Sequence, residues 1–284
     1  MANYVLNMGG DSGSGYSNIV DVFKVTINSV EKVIDHNLTL SVARADLSAT
    51  ANGNYILAMG GYNILNDNPN YLDTVDVFHV TGNGVETVTG HGLTLSEARA
   101  GAATASCGNY ILAMGGYNDS GYTNTVDVFR VTENGVEVVT DHNLTLSVAR
   151  QNLAAAACGE YILAMGGGAN ALSFNDTIDV FKVTANGVEH ITDHGLSLSV
   201  ARYNLAAAAC GNYILAMGGS GSSGNSNTVD VFHVTENGIE AVTGHGLTLS
   251  EGRYQLAAAS CGNYILAMGG RVSNIVDVFQ IIFN

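Results

Sequence analysis

The segment Asn109-Tyr-Ile-Leu-Ala-Met-Gly-Gly116 decides the fold, because close copies of it occur six times in the chain. Each copy is followed by a variable polar stretch and then by Val-Asp-Val-Phe or a near variant. The tyrosines of the copies lie 51 to 55 residues apart, at Tyr4, Tyr55, Tyr110, Tyr161, Tyr213 and Tyr264. A period of this length is typical of repeat folds whose units share their hydrophobic faces and form one body. We therefore predict that residues 1–284 are a single domain.

One unit, residues 99–150, is predicted to contain four strands. The second run is apolar at both alternating positions, which indicates a strand buried on both faces. Asn134-Gly135, between the third and fourth runs, is a strong hairpin signal. The four runs are, in order, residues 101–107, 109–116, 125–132 and 136–140.

Four short strands repeated about every 51 residues define the blade of a β-propeller. The innermost strands of a propeller converge on its axis, where large side chains would collide. The alanine-rich runs Leu153–Ala157 and Leu205–Ala209 suit that position. We predict an all-β protein, a β-propeller of four-stranded blades with these runs nearest the axis.

The units resemble kelch-repeat propellers over essentially the whole chain. In that family an Arg precedes a small inner strand, an apolar strand ends in Gly-Gly, and a strand of Val-Glu-Val-Tyr type follows. The corresponding residues here are Arg150, Gly166-Gly167 and Val-Asp179-Val-Phe181, and the other repeats match likewise. The resemblance implies kelch-like blades, with ligands bound on the face that carries the loops between second and third strands.

The number of blades follows from the strands at the two ends of the chain. The chain begins on a second strand and ends on a third, so it holds six second and third strands but five first and fourth strands. Six blades, with three-stranded terminal blades that meet at a seam, use every strand and are our prediction. The alternative is a five-bladed ring closed by strand exchange, with residues 254–261 as the inner strand of the N-terminal blade. Incomplete terminal blades expose strand edges, through which copies of the chain can associate with one another.

Charge and hydropathy exclude several classes of partner. The chain has 10 Lys and Arg against 25 Asp and Glu, a net charge of −15. Such a surface repels phosphate backbones and anionic lipid, so we expect neither nucleic acid nor membrane as a partner. No run approaches the roughly 18 apolar residues of a membrane span. The sequence opens without a signal peptide, which favours a cytoplasmic location.

Neither the cysteines nor the repeated histidines are predicted to bind a metal. The cysteines occupy one site in four repeats, and their Ala-rich context without Cys-x-x-Cys indicates buried packing. Ring-related histidines diverge, whereas metal ligands converge on one ion, so turn or core hydrogen bonding is the better interpretation. These residues are Cys107, Cys158, Cys210 and Cys261, and His36, His91, His142, His194 and His245. No cofactor is predicted.

Two charged residues recur with every unit. The Asp of Val-Asp-Val-Phe is predicted to pair with an Arg or to accept backbone N–H bonds; the six are Asp21, Asp76, Asp127, Asp179, Asp230 and Asp277. The Arg before each inner strand has two interpretations. It grips a ligand carboxylate with its bidentate fork, or it pairs with an Asp of the scaffold.

The loops between second and third strands vary in length and composition, at residues 11–18, 62–72, 117–124, 168–175, 220–227 and 271–273. They carry Tyr16, Tyr62, Tyr71, Tyr117, Tyr122 and Phe174. A constant frame with variable aromatic tips is typical of a binding surface, although neutral drift in exposed loops gives the same pattern. The candidate ligand-binding residues are Arg44, Arg99, Arg150, Arg202, Arg253, Tyr203, Tyr254, Tyr62 and Tyr117.

Three functions are compatible with this sequence. We prefer a non-enzymatic binding module that recognises a protein segment or a glycan through the loop face. The resemblance also implies sugar-active enzymes of the copper radical oxidase or sialic acid epimerase type. However, no unit gains a Tyr/Cys/His cluster or a nucleophile–base pair, so we expect no enzymatic activity. The third is a repeat scaffold, recently duplicated or engineered, with no dedicated ligand.

Overall fold

The computed structural model describes residues 3–170, 173–271 and 273–282. All regular elements in these ranges are β-strands, and β1 to β28 form six antiparallel blades arranged as a propeller, with three small hairpins. No helix there is long and apolar enough to cross a membrane. Ala171, Leu172 and Val272, which belong to predicted loops, lie outside the described residues.

Four blades have four strands each, ordered from the axis outward as they follow in the chain. Blade 2 has β4 (Ser48–Asn52), β5 (Tyr55–Met59), β8 (Val75–Thr81) and β9 (Gly84–Val88). Blade 3 has β10 (Ala103–Cys107), β11 (Tyr110–Asn118), β12 (Gly121–Thr132) and β13 (Gly135–Val139). Blade 4 has β14 (Ala154–Cys158), β15 (Tyr161–Met165), β18 (Ile178–Thr184) and β19 (Gly187–Ile191). Blade 5 has β20 (Ala206–Cys210), β21 (Tyr213–Met217), β24 (Val229–Thr235) and β25 (Gly238–Val242).

The two terminal blades have three strands each. Blade 1 has β1 (Asn3–Met8), β2 (Val20–Val25) and β3 (Val30–Val33), and the described residues give it no inner strand. Blade 6 has β26 (Ala257–Cys261), β27 (Tyr264–Met268) and β28 (Val276–Gln280), and no outer strand is found for it up to residue 282, where the described part of the chain ends. Because β26 pairs with β27 of its own sheet, the six-bladed prediction is confirmed and the five-bladed alternative is wrong.

The hydrophobic core lies between successive blades. In β15, Ile162 packs towards blade 3, in one cluster with Leu112 of β11. Leu163, on the other face of β15, packs towards blade 5, in one cluster with Ile214 of β21. The second strand of a blade is therefore buried on both faces, as its apolar sequence predicted.

The loops after the Gly-Gly pairs are more regular than predicted. Three of them form hairpins: β6 (Tyr62–Leu65) with β7 (Asn68–Tyr71), β16 (Gly168–Asn170) with β17 (Ser173–Phe174), and β22 (Ser220–Gly221) with β23 (Gly224–Asn225). In the first hairpin, Asn66 and Asp67 at the turn have φ of 51° and 63°. Asn and Asp tolerate this left-handed conformation, and two such residues in succession match the twist of a hairpin.

The terminal blades do not cover each other's faces at the seam. Val276 and Val278 of blade 6 are 52% and 58% exposed, whereas their equivalents in blade 3, Val126 and Val128, are 3% and 1% exposed. On the facing side, Val5 of blade 1 is 55% exposed. Both terminal blades therefore present apolar surface to solvent at the seam.

Candidate functional site

The five repeated arginines lie beneath the loop face and are at most 1% exposed. Each Nη2 lies 2.6 or 2.7 Å from the Oδ2 of an aspartate in the same blade. The pairs are Arg44–Asp76, Arg99–Asp127, Arg150–Asp179, Arg202–Asp230 and Arg253–Asp277. A guanidinium that is buried and paired is not available to a ligand, so these arginines drop out of the candidate site.

The pair in blade 4 shows what these residues do instead. Arg150 donates from Nη2 to the carbonyl of Ala164 on β15, 3.2 Å away, as well as to Asp179 on β18. The other carboxylate oxygen of Asp179 accepts the backbone N–H of Ser147 at 2.9 Å. Burial lowers the pKa of Arg150, and the charge of Asp179 acts against that shift. The pair fixes the segment that enters the blade, which is the scaffold role predicted for the aspartates.

The repeated histidines and cysteines also hold the frame together. Each histidine Nδ1 accepts the backbone N–H two residues later, at 3.0 to 3.3 Å, which is the predicted turn bond. The Sγ of Cys107 donates to the carbonyl of Gly159 in the next blade at 3.2 Å, and Cys158 and Cys210 repeat this contact. Within the described ranges, no three His, Cys, Asp or Glu side chains are placed to hold a metal ion.

A cavity of about 520 Å³ opens on the loop face at the axis. Five residues that follow the arginines by two positions line it: Asp46, Gly101, Asn152, Asn204 and Gln255. All five have φ between 50° and 64°. The N–H of each of the last four donates to the carbonyl of the preceding one, at 2.8 to 3.1 Å. Asp, Asn and Gly at four of these positions signal left-handed backbone, although the sequence does not show that the positions form one rim.

Five tyrosines on the loop face form a continuous row across blades 1 to 3. Neighbouring ring centroids are 4.9 to 6.2 Å apart, and all five side chains are half-buried. Two contacts are between cross-strand partners within a blade, and two join different blades. In order, the tyrosine row is Tyr16, Tyr62, Tyr71, Tyr117 and Tyr122. It adjoins the axial rim, because Tyr62 is bridged to Ala45, next to Asp46.

Acidic residues surround the tyrosine row. A hydrogen bond with Tyr16, together with burial and the charges of Asp46 and Asp11, raises the pKa of Tyr62 to about 12. Burial, and then the charge of Asp11, raise the pKa of Asp46. Burial also raises the pKa of Tyr71, with smaller contributions from Tyr117 and Asp119. The phenols of Tyr62 and Tyr71 therefore stay protonated at neutral pH, beside carboxylates that favour a cationic group.

The other two candidate tyrosines lie apart from the row. Tyr203 stacks on Phe174, with ring centroids 5.6 Å apart. Tyr254 lies beside the Arg271 guanidinium, which donates from Nη1 to its hydroxyl at 2.9 Å. Of the predicted site residues, the structure thus brings together Tyr62 and Tyr117. It adds Tyr16, Tyr71 and Tyr122, which the sequence marked only as loop aromatics.

Comparison with known proteins agrees with this architecture. The family described as Kelch motif matches residues 98–138, which cover blade 3, and residues 201–237, which cover most of blade 5. A comparison with curated proteins found no significant match. The chain is a six-bladed β-propeller that carries Kelch motifs, a fold that commonly serves as a protein-interaction module.

Proposed function

We propose that this protein is a non-enzymatic binding module that recognises an extended protein segment through the tyrosine row. The row itself carries the proposal, because half-buried aromatic rings in mutual contact are anchored and lose little conformational freedom when they bind. Tyrosine is enriched among the residues that dominate binding energy in protein interfaces. A row that crosses three blades suits a ligand several residues long.

The charges around the row favour a basic segment. Asp11, Asp46 and Asp119 lie beside the rings, and the whole chain carries a net charge of −15. Lys and Arg side chains combine attraction to carboxylates with cation–π contacts to tyrosine faces. The aspartates would repel an acidic segment, and the repeated arginines cannot offset this because they are buried in ion pairs.

A glycan is the second candidate ligand. The ring faces suit stacking on sugars, and protonated phenols donate and accept hydrogen bonds. The side-chain amide of Asn70, however, donates a hydrogen bond to Oδ1 of Asn63 at 3.0 Å, and the Asn63 amide donates to the carbonyl of Ala43. These amides are therefore engaged within the fold, and for this reason we rank the glycan second.

The test is an array that carries basic, neutral and acidic synthetic peptides beside a panel of glycans. We expect basic peptides to be retained, and the Tyr62→Ala/Tyr117→Ala double variant to bind them at least tenfold more weakly. Two lost aromatic anchors, each worth about 1–2 kcal/mol, account for that factor. Tyr264→Ala is the control, because Tyr264 is exposed on blade 6 and outside the row. Retention of glycans alone, or undiminished peptide binding by the double variant, would contradict the proposal.

A further inference from the structure

The parts that the two terminal blades lack are consecutive in a repeat. In the part of the chain that the structure describes, blade 6 has no fourth strand and blade 1 has no first strand. Elsewhere the fourth strand of one blade leads through a linker, such as residues 140–153, into the first strand of the next. Residues 135–158, which contain β13 and β14, are such a segment between blades 3 and 4. One continuous segment of this kind would therefore complete both terminal blades.

Residues 135–158 show what such a segment contributes to the blade before it. Leu144 and Leu146 of its linker are buried in one cluster with Val126 and Val128 of blade 3. Thr145 forms a β-bridge with Thr125. On the seam side of blade 6, Val276 and Val278, the equivalents of those two valines, are more than half exposed.

The same segment also forms an ion pair and a backbone hydrogen bond with the blade that follows it. Arg150 and the N–H of Ser147 both bind Asp179 of blade 4, which is 1% exposed. The equivalent of Asp179 in blade 1 is Asp21. Among the described residues Asp21 has no arginine partner and contacts Lys32 at 2.6 Å, an ion pair open to solvent.

The two inner strands next to the missing inner strand of blade 1, β26 and β4, also have exposed side chains. In β10, β14 and β20, the side chains at alternate positions are buried, ending with the cysteine. In β26 the equivalent side chains, Ala257, Ala259 and Cys261, are exposed. On β4 of blade 2, Ala49 and Ala51 are exposed. Both strands therefore expose surface that an alanine-rich inner strand covers elsewhere in the ring.

We propose that the seam is a second binding site, which takes an extended segment with the chemistry of residues 135–158. Its first strand pairs with the free edge of β28, and two leucines spaced as Leu144 and Leu146 cover Val276 and Val278. An arginine spaced as Arg150 replaces Lys32 at Asp21, and a small-residue strand pairs with the free edge of β1. This is strand addition at exposed sheet edges, with side-chain pockets and one ion pair that set its register. The site is separate from the tyrosine row and does not depend on the function proposed above.

The test uses the full chain and a synthetic peptide of residues 135–158 that carries Cys158→Ser. We expect saturable one-to-one binding in calorimetry, and a melting temperature that rises with peptide concentration. Hydrogen exchange is expected to slow in β1 and β28. A scrambled peptide of the same composition should not bind, should not raise the melting temperature and should not slow hydrogen exchange.

A double-mutant cycle tests the ion pair that sets the register. The Arg150→Ala peptide should bind the wild-type chain at least tenfold more weakly, and so should the wild-type peptide with the Asp21→Asn chain. Because both substitutions remove one interaction, their combination should cost little more than either alone. The proposal is overturned if no binding occurs, if binding ignores both substitutions, or if β1 and β28 are already protected without peptide.

Discussion

The Asp179→Ala variant is expected to lose about 3–5 kcal/mol of its free energy of unfolding, the usual cost of leaving a buried charge without its partner. Asp179 is 1% exposed, and its carboxylate accepts the Nη2 of Arg150 at 2.6 Å and the N–H of Ser147 at 2.9 Å. Its removal leaves the Arg150 guanidinium, itself 0% exposed, with carbonyl acceptors but no counter-charge. The midpoint and slope of urea unfolding, followed by circular dichroism, measure the loss.

The matched control is Asp21→Ala, at the equivalent position in blade 1. Asp21 contacts Lys32 at 2.6 Å, but both side chains are open to solvent. Exposed ion pairs contribute about 0–1 kcal/mol, so this variant should unfold close to the wild type. Equal losses in the two variants would show that burial of the arginine is not what makes the pair important.

The repeat made most of the fold predictable. Six copies of one sequence motif predict six second strands, and the alanine-rich runs predict that the inner strands lie near the axis. Both predictions rest on packing rules that every blade obeys in the same way. The loop hairpins were missed because their strands are as short as two residues, as in Ser173–Phe174, and carry no hydrophobic alternation.

The candidate site was only partly predictable, for two physical reasons. An arginine fork suits a ligand carboxylate and a scaffold carboxylate equally well, so the sequence could not decide between a surface and a buried position for Arg150. The tyrosines were visible as loop residues. That Tyr71 of one blade contacts Tyr117 of the next depends on how neighbouring blades are set side by side, which no local pattern records.

The Gly166→Ala variant should be destabilised well beyond the ordinary cost of alanine in a left-handed conformation. Gly166 has φ of +66°, and a Cβ there would lie 2.6 Å from the carbonyl oxygen of Arg202 and 3.0 Å from the side chains of Leu198 and Leu205. That carbonyl already accepts the N–H of Gly167 at 2.9 Å. The backbone therefore cannot move away without loosening the segment that carries Arg202 into its ion pair.

Gly92→Ala separates this crowding from backbone strain, because Gly92 also has φ of +66° and a Cβ there would meet nothing within 4 Å. We expect Gly92→Ala to cost about 1–2 kcal/mol, which is the left-handed strain alone. Gly166→Ala should cost a further 1–3 kcal/mol, roughly the range for an added methyl group in a packed interior. Urea unfolding of the two variants under identical conditions gives both values. If they are destabilised equally, the close approach of the Arg202 carbonyl does not constrain this position, and the requirement for glycine at the end of β15 is one of φ alone.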